Sequence, residues 1–357
     1  MIGNFGVYIH IPFCSRRCDY CAFATWTDRG HLEEVYLNSV SIEIERAVAS
    51  GALRRATSVF VGGGTPSLVD PRRLAEVISR IPVGADTEIT VECNPESVTA
   101  AHFDAYVDAG VNRISFGVQS MSETVLVSLG RDHQPETVER AVTLARQGGI
   151  DRLNLDLIYG AAGESLGDWR QTVERVIDLK PDHVSAYALT VEAGTPLAED
   201  VARHPNDDDQ ADKYLLADAL LGGAGFSNYE ISNWAKPGQE CKHNLLYWRQ
   251  GDYLGFGCAA HSHSSGRRWW NVRTPDRYIE LIGAGSTAEG SSEELDPERQ
   301  RIEGLQLSLR TREGVPVDAL SETDQETLGS LLKLDGESLV LTVEGRLLAN
   351  EVAVRLR

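Results

Sequence analysis

Three things are scarce in this 357-residue chain: long apolar runs, positive charge and a regular framework of cysteines. No apolar stretch approaches the roughly 20 residues that span a bilayer, so no integral membrane segment is expected. Met1 to Phe5 have neither the basic flank nor the apolar run of a secretory signal, and the expected location is the cytoplasm. Lys and Arg number 34 against 53 Asp and Glu, a net charge of −19. Non-specific nucleic-acid binding needs clustered cations to neutralise phosphates, so a DNA partner is not expected. Of the six cysteines, Cys14, Cys18 and Cys21 sit together while Cys93, Cys241 and Cys258 are scattered. In a cytosolic chain such a tight group points to metal binding or catalysis rather than disulfides.

What is present suffices for a sizeable core: 42% of residues are hydrophobic and 24% charged, far from the composition of disorder. Up to about residue 200, short β-rich runs alternate with segments of helical period, the pattern of repeated βα units. Strands are expected at Val7–Ile11, Ser58–Val61, Glu88–Glu92, Arg113–Phe116, Leu153–Ile158 and His183–Ala188. A helix over His31–Ala49 would place Val35, Val40, Ile44 and Val48 on one apolar stripe, and Pro71 opens another with Asp70 as its cap.

Six units are too few for a closed eight-stranded barrel. They predict an α/β fold built on a partial, curved parallel barrel, with its reactive face at the C-terminal ends of the strands. The notable residues fall there: Cys14 after the first strand, Gly62 to Pro66 after the second, Glu92 closing the third, Gln119 after the fourth and Asp156 in the fifth.

After Pro205 an acidic run, Asp207 to Asp209, leads into a helix near Tyr214–Leu221 and an aromatic-rich stretch from Tyr229 to Trp270. Gly283–Pro297 reads as a linker, followed by helices over Arg299–Leu309 and Gln325–Leu332 and a small helix-and-hairpin unit at Ser338–Arg357. The expected division is a barrel at 1–205, an aromatic-rich extension at 206–282 and a C-terminal α+β domain at 283–357.

The spacing Cys14-x-x-x-Cys18-x-x-Cys21 puts three thiolates on one loop, near enough to hold one inorganic cluster. Thiolates are the usual ligands of iron–sulfur clusters, whereas zinc sites usually take four protein ligands. Three thiolates leave one iron of a four-iron cube open. A zinc site completed by His10 or a distant cysteine is the alternative.

This cysteine spacing, Tyr20 before the last cysteine and Gly-Gly-Gly-Thr-Pro at 62–66 resemble the radical S-adenosylmethionine (SAM) proteins. Tyr8 to Cys14, Ser115 to Ser120 and Asn154 to Gly160 narrow the resemblance to the oxygen-independent coproporphyrinogen III oxidase family, over nearly the whole chain. The resemblance implies a radical SAM barrel with a C-terminal extension that contains a winged-helix-like unit. It also implies a 4Fe-4S cluster on Cys14, Cys18 and Cys21, with Tyr8, Gly63, Thr65, Glu92, Gln119, Arg131 and Asp156 around SAM. The glycines would let backbone approach the ligand. Arg131 can pair with a carboxylate, and Glu92 and Asp156 can accept from amino or hydroxyl groups. Taken singly, the carboxylates would be ordinary strand-end groups and Arg131 a surface ion-pair partner.

Within this family the dehydrogenase branch has a further cysteine two positions after the third ligand, where this chain has Phe23, and an N-terminal extension not seen here. His243-Asn244-Leu245-Leu246-Tyr247-Trp248 matches the HNxxYW motif of the heme-chaperone branch. The resemblance therefore implies heme as ligand, acceptor hemoproteins and a homodimer as partners, and the absence of dehydrogenase activity. His243 is the candidate heme ligand, against the alternative of a packed, hydrogen-bonded ring, with Cys241, Tyr247 and the pair His261 and His263 as further candidates. Lys242, Arg267 and Arg268 are candidates for offsetting heme propionates. The competing functions are oxidative decarboxylation of coproporphyrinogen III with SAM cleavage and, against the acidic balance, RNA modification.

Overall fold

The computed structural model describes residues 4–357, so Met1–Gly3, part of the segment read as lacking a leader, lie outside the described residues. Strands β1 (Phe5–Ile11), β2 (Ala56–Gly63), β3 (Val83–Cys93), β4 (Arg113–Gln119), β5 (Arg152–Tyr159) and β6 (His183–Ala188) pair in parallel in chain order. Each expected strand lies within an observed one. Strands covered on both faces read as near-continuous apolar runs, and β1 is buried at every position except Tyr8.

Intervening helices return the chain from one strand to the next. In the helix Pro71–Ile78 the Asp70 side chain accepts from the N–H groups of Arg72 and Arg73, as expected of its cap. The helix Glu33–Ala49 is rotated from the expected stripe. It buries Tyr36, Leu37, Val40 and Ile44, while Val35 and Val48 are 41% and 40% exposed. Tyr36 sets this rotation: its hydroxyl donates to the His10 carbonyl at 2.7 Å and its ring packs against Phe13 and Tyr278. A polar-tipped ring outcompetes two valines for the core because it brings area and a buried hydrogen bond.

Beyond residue 205 the chain widens the same sheet at both edges. Strands β7 (Ser227–Glu230) and β8 (Asn233–Ala235) follow β6, with β8 antiparallel to it. On the other side β9 (Asp252–Phe256) runs parallel to β1, followed by antiparallel β10 (His261–Ser264), β11 (Arg267–Asn271) and β12 (Glu289–Glu294). Twelve strands thus join in one sheet among the described residues. Trp234, Phe256 and Tyr278 share the barrel's core.

The expected linker Gly283–Pro297 contains β12. Its Glu293 and Glu294 stand opposite Arg268 and Arg267, with Arg268 2.9 Å from Glu293. Cross-strand charge pairs let an exposed edge strand form where composition suggests a spacer. The helix expected over Gln325–Leu332 ends at Thr327, and Leu332 begins a strand. This C-terminal unit packs helices on a three-stranded antiparallel sheet around its own core, which includes Leu309, Leu320 and Val352. Among the described residues no helix is long and apolar enough to cross a membrane.

Candidate cluster and ligand site

The segment after β1 forms a loop that closes on itself. Cys14 N donates to the Trp26 carbonyl at 3.1 Å, and Trp26 N donates to the Pro12 carbonyl at 2.8 Å. The β2 end holds it from the side, with Gly64 N bonded to the Ile11 carbonyl and Thr65 N to that of Phe13. All three glycines serve close protein packing. A Cβ on Gly64 would meet the Phe13 carbonyl at 2.6 Å, one on Gly63 (φ +110) would meet His10 at 2.4 Å, and one on Gly62 would meet the Glu92 carboxylate at 2.7 Å. The run is needed to seat the cysteine loop, before any ligand is considered.

Cys14, Cys18 and Cys21 are half-buried free thiols on this loop. Thr65 Oγ1 lies 3.7 Å from Cys14 Sγ and Arg131 Nη1 3.6 Å from Cys18 Sγ. Burial raises the Cys14 and Cys21 thiols above their usual range, and the neighbouring sulfurs add to it. A bound iron cluster reverses that cost, because coordinated thiols are deprotonated outright. The zinc alternative finds no support from His10, whose Nδ1 lies 3.0 Å from the Tyr8 hydroxyl and whose Nε2 lies 2.9 Å from the Ala24 carbonyl. Cys241 and Cys258 are buried elsewhere, beside Glu88 and Tyr36. Among the described residues no three His, Cys, Asp or Glu side chains converge to hold a single ion.

One cavity of about 590 Å³ collects the three cysteines with Gly63, Thr65, Glu92, Gln119, Arg131 and Asp156. Arg131 crosses its floor, donating to Asn94 Oδ1 and the Gly117 carbonyl, both at 3.0 Å. Its Nε is buried without a partner among the described residues. An orphaned guanidinium edge beside three thiols suits an anionic ligand group next to a cluster. Gln119 has φ +64, next to a register shift between β4 and β5. A non-glycine in that region costs free energy, and the bulge turns this side chain out of the ladder. Asp156 accepts from Ser115 at 2.6 Å and Asn154 at 2.8 Å.

Glu92 accepts from Gly63 N at 3.2 Å, and burial together with the Asp156 carboxylate pushes its carboxyl up to about 8. Sequence reasoning missed Asn94, which fixes Arg131 and reaches Thr65 at 3.4 Å. Its position two residues after Glu92, at the same strand end, was the available signal.

Two expected site residues lie elsewhere. Tyr8 faces two adjoining cavities and does not line the one that holds the cysteines. His243, in the helix Lys242–Trp248, lines an inner cavity of only about 150 Å³. Its Nδ1 is 2.9 Å from Ser58 Oγ and its Nε2 2.8 Å from the Tyr247 hydroxyl, and its ring stacks on Phe60. Burial holds it down to about 4, so the ring is neutral, and in this geometry neither nitrogen is open to a metal. Burial and Glu88 push Cys241 up to about 12, which opposes thiolate formation there. Lys242 donates to the Asp86 carbonyl at the opposite end of the barrel and lines a separate cavity of about 390 Å³ there, and Arg267 pairs with Glu289; of the three basic candidates, Arg268 alone lines the cavity of about 690 Å³ onto which Tyr247 faces.

Parallel βα units with three thiols on the loop after the first strand define a radical SAM protein, and the model of the Radical SAM superfamily matches residues 8–176. The heme chaperone HemW of Mycobacterium tuberculosis is 41% identical over 98% of this chain and 93% of that protein. HemW of Escherichia coli is 42% identical over 71% of this chain and 69% of that one. The solved coproporphyrinogen III oxidase HemN of Escherichia coli superposes with a TM-score of 0.85 over 99% of this chain and 89% of that chain, at 22% identity, a likeness of fold. The chain belongs to the HemW family of radical SAM proteins.

Proposed function

We propose that this chain is a cytoplasmic heme chaperone that carries a 4Fe-4S cluster and SAM, binds heme and passes it to acceptor hemoproteins. The observation that carries this reading is a junction of cavities. The thiol-lined cavity shares Ala22, Phe23, Gly63 and Glu92 with a second of about 690 Å³, onto which Tyr247 of the HNxxYW motif faces. That volume lies within the roughly 300–1,000 Å³ usual for cofactor pockets, whereas the inner cavity at His243 falls below it.

Cys14, Cys18 and Cys21 would hold the cluster, and Arg131 would meet the carboxylate of SAM. Glu92 and Asp156 would accept from its amino or ribose groups, with Gly63, Thr65 and Gln119 completing the wall. When bound, the cluster and SAM supply one-electron chemistry. Ser115 and Asn154 keep Asp156 oriented and leave it lone pairs for a further donor. Tyr8, bonded to His10 beneath the cysteine loop, braces that loop from the adjoining side.

The C-terminal order of helix, strand, helix and hairpin supports a winged-helix-like unit that covers the barrel. Homodimerisation belongs to the same reading. Anaerobically reconstituted, cluster-loaded protein is expected to bind hemin at one per chain and to form no protoporphyrinogen from coproporphyrinogen III with reductant and SAM. Conversion without hemin binding would establish the dehydrogenase function instead.

A further inference from the structure

The 690 Å³ cavity carries a more specific assignment than the heme motif does. Three histidines line it, and two are spoken for: His10 as described, and His263 by the Gly251 carbonyl on Nδ1 and Gly266 N on Nε2. His261 is different. Neither of its nitrogens meets a hydrogen-bond partner among the described residues, although its ring is held in place, stacked on Trp270 directly across the β10–β11 pair at 5.5 Å. Partial desolvation against the cavity wall, with Arg268 nearby, lowers its pKa although its outer edge is exposed, so that at neutral pH it presents a neutral imidazole with an open lone pair.

The surroundings suit an aromatic dianion. Tyr247 and Tyr253 meet edge to face at 4.7 Å on the wall, and Phe23, 63% exposed, stands at the rim shared with the thiol-lined cavity. Arg273, exposed in the same wall, pairs with no carboxylate among the described residues. Arg268 is held by Glu293 and Glu303 but keeps a buried Nε without a partner. A planar ring system with a metal at its centre and two carboxylates at its edge meets each of these features: aromatic walls, an open imidazole, the unpaired guanidinium of Arg273 and the unpartnered Nε of Arg268.

We infer that His261 is the protein ligand of the heme iron, with heme seated in this cavity against Tyr247 and Tyr253 and its propionates toward Arg268 and Arg273. The assignment rests on the heme-chaperone reading and changes the part played by the HNxxYW motif. His243 becomes a positioning residue whose bond to the Tyr247 hydroxyl aims that ring into the heme cavity.

The test is a hemin titration of cluster-loaded wild type, His261→Ala and His243→Ala, followed by the Soret band, with free imidazole added to each variant. His261→Ala should lose the wild-type band position and bind hemin about tenfold more weakly or worse, since even an outer partner of a metal ligand is typically worth 10–100-fold. Imidazole should restore its band. His243→Ala should keep the wild-type band position at reduced affinity, and imidazole should leave that position unchanged. His261 is exposed, so its replacement leaves the core intact. Wild-type band position and affinity in His261→Ala would overturn the ligand assignment alone. Failure of the wild type to bind hemin would overturn the chaperone reading, and the assignment with it.

Discussion

Replacing Cys18 with alanine should empty the site. After anaerobic reconstitution, iron and sulfide should fall from about four of each per chain to near zero, because two thiolates cannot hold a cube whose protein ligands number three. Cys14 and Cys21 should behave alike. The chain should still fold: the loop is held by hydrogen bonds among Pro12, Cys14 and Trp26 and by His10 on Ala24, none of which uses a thiol. Melting of the metal-free variant should therefore match that of metal-free wild type. Cys93 is the control, since it borders the same cavity but is buried at the end of β3. Cys93→Ala should retain iron and sulfide. Full cluster content in Cys18→Ala would show that a different ligand set holds it.

The second large effect concerns Glu92, where the three cavities meet. An ordinary glutamate titrates near 4.5 and this one at about 8. Between those values the folded chain holds a proton that the unfolded chain has released. Its contribution to stability is therefore complete below about 4.5 and is lost as pH rises through about 8. Glu92 is half-buried where the cavities meet, so solvent screening discounts this shift, leaving a loss on the order of 2 kcal/mol.

Glu92→Gln keeps an acceptor for Gly63 N and removes the titration. Denaturant melts at pH 5 and pH 8 in the absence of ligand should show the wild type losing about 2 kcal/mol more than the variant across that interval. The same change should weaken SAM binding, since it removes a carboxylate that the bound sulfonium and amino groups favour. Stability gained at the expense of binding is the usual signature of a functional carboxylate. Parallel pH dependence in the two proteins would show that Glu92 is solvated and unperturbed.

Much of this site is legible in the sequence because its residues follow a local rule. In a parallel barrel the loop after each strand faces one end, so strand positions alone bring Cys14, Gly63, Glu92, Gln119 and Asp156 together. What escapes is whatever depends on partners distant in sequence. The burial of Tyr36 rests on the His10 carbonyl and on Tyr278, and β12 exists because arginines on β11 face its glutamates.

The HNxxYW motif shows the same limit. Its histidine reads as a metal ligand until Ser58, 185 positions away, is seen to occupy one nitrogen and Tyr247 the other. His261 reads in the sequence only as one of a pair with His263. The two are told apart when the nitrogens of the histidines in the same cavity are compared, since those of His263 are taken by Gly251 and Gly266. The bond of the Tyr8 hydroxyl to His10, on cavities that adjoin the thiol-lined one, is likewise invisible in a strand pattern.

The most direct measurement is heme transfer. Cluster-loaded protein carrying one hemin is mixed with an apo-hemoprotein from the same cell, in the presence of a trap for free heme, and the acceptor's own spectrum is followed. The expected result is that the acceptor gains its heme spectrum despite the trap while the donor loses its heme. If heme stays on the donor, or reaches the acceptor only when the trap is omitted, the protein is not a heme chaperone.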